Sequence, residues 1–130
     1  MATSEFELAP TPADPREREL WMQHAAGFIL FEDVRGYARN RLPATLSDAE
    51  RAVAYAAIDD ALYGLMQVAE GVSGRLASGD RSVVVSVGVR MLEDDRVVEQ
   101  MDLADGDGPC MGYHGWVVGD FGKSPPAARR

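Results

Sequence analysis

A chain of 130 residues, 46% hydrophobic and 26% charged, is the size and make-up of one ordinary globular domain, long enough to bury a core without disulfides or a structural metal. Its formal net charge of −8, with Lys123 as its one lysine, argues against nonspecific binding to nucleic acid or anionic membranes. The single cysteine, Cys110, forbids an intramolecular disulfide, and no apolar run approaches the roughly 18 residues that span a bilayer, so the cytoplasm is the expected location.

Residues 1–13 read as a flexible N-terminal arm, since Pro10 and Pro12 oppose regular helix, although Phe6 and Leu8 are suited to docking on the body. A first helix is predicted from Asp14 as N-cap and Pro15 at the first helical position, with Leu20, Trp21, Phe28 and Phe31 as its apolar stripe. Gly27 and Gly36 weaken it, and Pro43 closes the basic segment at 35–41, RGYARNR. A second helix opens with a capping box, Ser47 and Glu50, and carries the stripe Ala54, Ile58, Ala61, Leu62, Leu65, Ala69 and Val72. Gly71 and Gly74 supply its stop.

Strands are predicted at 82–92 and 96–103, joined by a tight turn at Glu93, Asp94 and Asp95. Alternation puts Val83, Val85, Val87, Val89 and Met91 of the first strand on one face. A third strand is assigned to 112–121, and 122–130 reads as a disordered tail. The expected fold is therefore α+β: one domain over 14–121, with two N-terminal helices packed on an antiparallel sheet of three or more strands in two layers. Such a sheet leaves two edges, and pairing an edge with a second copy makes a homodimer the expected state.

The segment 102–114 gathers the metal-capable residues Asp105, Asp107, Cys110 and His114. Their spacing matches no paired zinc motif. A calcium loop with Gly108 at its sixth position would put Leu103 and His114 where an acid and a bidentate glutamate belong. No metal and no cofactor is therefore assigned. Cys110 and His114, if extended, share a face but lie about 13 Å apart at roughly 3.3 Å per residue, and the cysteine reads as a small core hydrophobe. No GxGxxG, GxxxxGK[ST] or GxSxG motif occurs.

His24 lies within the first helix's apolar stripe, where a histidine either lines a pocket or, more commonly, packs its ring and bonds a carbonyl. Asp59, at the margin of the second stripe near Tyr55, Tyr63 and Met66, is suited to general acid–base work or to an ion pair with Arg35 or Arg39, the commoner role. From Glu93 to Asp107 there are seven acids against Arg96 alone, a local charge of −6.

These features yield three functional expectations. The first is a non-catalytic binding protein of immunity or inhibitor type, recognising a basic protein partner through Glu93, Asp94, Asp95, Asp102, Asp105 and Asp107. The second is a small-molecule binding domain or small enzyme, with a helix–sheet pocket formed by Asp59, His24, Tyr63 and His114. The third is an oligomerising subunit without a site of its own.

Overall fold

The computed structural model describes residues 2–106, 108–122 and 124–130. The first helix, α1 (Pro15–Asn40), begins where the sequence places it: the Asp14 carboxylate accepts the Glu17 N–H at 3.1 Å, and Pro15 occupies the first turn. Neither Gly27 nor Gly36 interrupts it. The second helix, α2 (Asp48–Ala69), carries the complete capping box, with reciprocal Ser47–Glu50 bonds of 3.0 and 3.1 Å. It ends in a Schellman turn: Gly71 at φ 77° donates to Val68 O at 3.1 Å and Val72 donates to Gln67 O at 3.0 Å.

The sheet expectation is corrected in two respects. First, the described strands form separate two-stranded ribbons in place of one sheet of three or more strands. The predicted strand at 82–92 breaks in two because it changes partner. Strands β2 (Arg75–Ser78) and β3 (Arg81–Val84) pair with each other, and β4 (Gly88–Glu93) pairs with β5 (Arg96–Asp102). Between them Val85 donates to Gly74 O and Val87 accepts from Leu103 N, each tied to a different ribbon's flank. Every residue of β2 and β3 is exposed, Val83 included, and Val85 just after β3 is exposed as well, whereas Val87 and Val89 pack against Ala26, Ala69 and Leu103.

Second, the third strand expected at 112–121 is largely a helix, α3 (Gly108–Val117). Its glycines lower intrinsic helicity, but packing overrides propensity: Tyr113 and Trp116, three residues apart on one face, are both buried against Phe31, Leu62 and Met66. The Glu70 carboxylate at the end of α2 accepts the Cys110 N–H at 2.7 Å, satisfying one donor of the first turn of α3.

Short stretches near the two chain ends pair with each other. Strand β1 (Phe6–Leu8) runs antiparallel to β6 (Ala127–Arg129), extended by an Ala9 N–H to Pro126 O bond of 2.8 Å. Phe6 stacks edge-on against Phe28 at 5.0 Å, Pro126 is fully buried, and Thr3 binds the Asp33 carboxylate on α1. Pairing across the whole length of the chain has no local signature. The resulting molecule is a mixed α+β fold in which three helices share the main core.

Candidate functional site

Two clefts flank α3, and they divide the residues expected to share one pocket. Asp59, Tyr63 and His114 line a shallow cleft of about 390 Å³ together with Asp60, Tyr113 and Val117. Tyr63 lies 5.0 Å from Tyr113 and 5.2 Å from His114, ring to ring. His24 lies elsewhere, in a larger cleft of about 530 Å³ on the other flank. The four polar groups do not converge, because α3 stands where a strand was expected and separates them.

Asp59 is engaged as an ion-pair anchor between the helices. Its carboxylate accepts Arg35 Nε at 2.8 Å and Nη2 at 3.0 Å, with Arg39 Nη2 at 3.4 Å from the second oxygen. The two guanidiniums lie over aromatic rings, Arg35 at 4.6 Å from Phe31 and Arg39 at 3.9 Å from Tyr55. This accounts for the RGYARNR segment, whose first two arginines face α2 rather than a ligand. The Tyr113 hydroxyl donates to the Asp59 carbonyl, and burial followed by the nearby Asp59 charge raises its pKa.

On helical α3, Cys110 and His114 stand one turn apart, closer than an extended segment would place them. The thiol is nonetheless protonated at neutral pH: burial, with the Glu70 carboxylate beside it, pushes it up to about 12. Its chemistry is that of a core residue. Among the described residues no three His, Cys, Asp or Glu side chains gather as a metal would need. Asp107 lies outside the described residues.

The acidic ribbon adopts the tight turn expected of it. Asp94 at φ 48° and Asp95 at φ 62° form a two-residue turn of the I′ kind, which aspartate tolerates better than most residues. Glu93, Asp94, Asp95 and Asp105 are exposed. Two acids of the stretch have structural duties: Asp102 accepts the Ala104 N–H at 2.9 Å, and Glu99 pairs with Arg18 of α1. The ribbon's inner face presents Val89, Met91 and Met101 toward the body, and its outer side exposes Leu92, Val97 and Val98.

Comparison with protein families, with curated proteins and with solved structures finds no match. The reading of the site rests on its chemistry.

Besides His24, a candidate already named from the sequence, the larger cleft holds residues that the sequence placed in an apolar stripe or in a strand. Trp21 and His24 come from α1, Trp116 from α3, and Asp120 and Phe121 from the segment after it. Trp116 is seated by two helical glycines: a Cβ at Gly27 would lie 2.2 Å, and one at Gly112 2.3 Å, from ring carbons. His24 meets the same ring edge-on at 5.9 Å, and burial lowers its imidazole below the ordinary 6.5. The legible signals were His24 on an apolar stripe and the spacing of Gly112 and Trp116. The second has meaning only once 108–117 is known to be helical.

Proposed function

We propose that this chain is a non-catalytic, cytoplasmic binding protein that recognises a basic protein partner through the ribbon β4–β5 and the segment after it. The observation carrying this reading is the ribbon's outward surface, where exposed Leu92, Val97 and Val98 adjoin the acidic turn of Glu93, Asp94 and Asp95. Apolar side chains supply contact area, and the acids steer a cationic partner and set its orientation. Glu99 and Asp102 act here as supports, holding the ribbon to α1 and shaping its exit. No helix among the described residues is long and apolar enough to cross a membrane.

The test is capture from the host at low salt by the wild-type chain and by the triple charge reversal Glu93→Lys, Asp94→Lys, Asp95→Lys. A basic protein held stoichiometrically by the wild type, released as salt rises and not held by the variant, is the expected outcome. Equal capture by both chains would refute an acidic-ribbon interface.

The same reading assigns the other ribbon, β2–β3, to a second copy of the chain. Isolated two-stranded hairpins are marginal in water, and this one exposes Leu76, Val83 and Val84. Its charges, Arg75, Asp80 and Arg81, are of both signs, which suits a self-complementary two-fold contact better than a strongly charged partner.

A further inference from the structure

The cleft between α1 and α3 is independent of both ribbons, and its chemistry points to a ligand. We propose that it binds a small organic cation, an ammonium-type head group placed among Trp21, Trp116 and Phe121 with Glu17 and Asp120 as counter-charges. The cleft's volume of about 530 Å³ lies within the range that holds small molecules, roughly 300–1,000 Å³. Aromatic walls attract cations through the ring quadrupole, most strongly for tryptophan and where water is displaced. Two carboxylates line the same space, and among the described residues neither arginine nor lysine does so; Lys123, between the lining residues Gly122 and Ser124, lies outside the described residues. Among the described residues the titratable ring in the wall is the imidazole of His24, and burial lowers its pKa, which favours the neutral form that does not oppose a cation.

The walls are built rather than incidental. Glycine at positions 27 and 112 weakens each helix relative to alanine, and at both positions the space a Cβ would take is occupied by the Trp116 ring. Asp120 is held at the rim by a turn. Its carboxylate accepts the Gly122 N–H at 3.0 Å, between Gly119 at φ 81° and Gly122 at φ 78°. Its carbonyl oxygen comes so close to α3 that a Cβ on Gly115 would lie 2.7 Å from it. Three helical glycines thus leave room for the Trp116 indole and for the backbone of Asp120 at the cleft.

Trp21 and Trp116 are the chain's two tryptophans, so intrinsic fluorescence reports on this cleft directly. The probe pair is choline and its neutral carbon isostere 3,3-dimethylbutan-1-ol, titrated at constant low ionic strength, with benzyltrimethylammonium as a larger cation. The expected result is a saturable change with at least one cation, bound about tenfold more tightly than the alcohol. Asp120→Asn, which keeps the acceptor for Gly122, is expected to weaken the cation severalfold and leave the alcohol unchanged. Glu17→Gln, on the exposed first turn, serves as the second variant if Asp120→Asn fails to fold by circular dichroism. Equal affinity for cation and alcohol, or no saturable response to either cation, overturns the proposal. So does a cation affinity unmoved in a folded variant.

Discussion

Gly27 and Gly64 both sit inside long helices, yet a methyl group would meet opposite surroundings at the two. At Gly64 nothing lies within 4 Å of an added Cβ, whereas at Gly27 the Trp116 ring already fills the space. Gly64→Ala is therefore expected to stabilise the protein by about 0.5–1 kcal/mol through helix propensity alone. Gly27→Ala is expected to destabilise it by about 1–2 kcal/mol, because displacing a rigid indole outweighs the same propensity gain. Denaturant titration of the two variants beside the wild type checks the difference in sign. His24 makes a second prediction at this scale. Its folded-state pKa is lowered, so its contribution to stability is fully present above the unfolded value of 6.5 and is lost as pH falls from there toward the folded value. Comparing urea midpoints of wild type and His24→Gln between pH 5 and pH 8 should show a smaller fall toward acid in the variant; parallel curves would remove His24 from the pH dependence.

Helix ends were the most legible elements, because capping is local chemistry. Asp14 with Pro15, Ser47 with Glu50, and Gly71 after α2 all act within four residues of where they stand. The strands were half legible. Alternation found the hairpin of β4 and β5 and its acidic turn, but an unbroken apolar run at 82–92 carries no mark of where a strand exchanges one partner for another. The third helix was misread as a strand, since its glycines argue against helix until Trp116 is seen to need them. At this scale belongs the prediction for β2–β3. Sedimentation velocity should show a dimer for the wild-type chain and a monomer for Leu76→Lys with Val83→Lys. Monomers of both at the same concentration would refute the assigned contact. Those two residues face each other across the ribbon and are 79% and 71% exposed, so the substitutions leave the folded monomer's core untouched.

At the scale of the molecule, the sequence pointed early to a mixed α+β class, and its composition is acidic, with the negative charge concentrated at 93–107. The capping signals, most of the apolar stripes, the tight turn at Asp94 and Asp95 and the option of an Asp59 ion pair with Arg35 or Arg39 could be read from neighbouring residues, because each depends on interactions within an element or on simple charge pairing; Leu20 and Val72, assigned to the stripes, are exposed, and Val72 lies past the end of α2. Tertiary structure alone decided the rest. It closed the two chain ends into one ribbon through Phe6 and Arg129, split the expected sheet, and set α3 between His24 and Asp59 so that they open into different clefts. These outcomes depend on contacts between residues far apart in the chain, whose energies come from shape and burial, and no local pattern encodes which distant surfaces will meet.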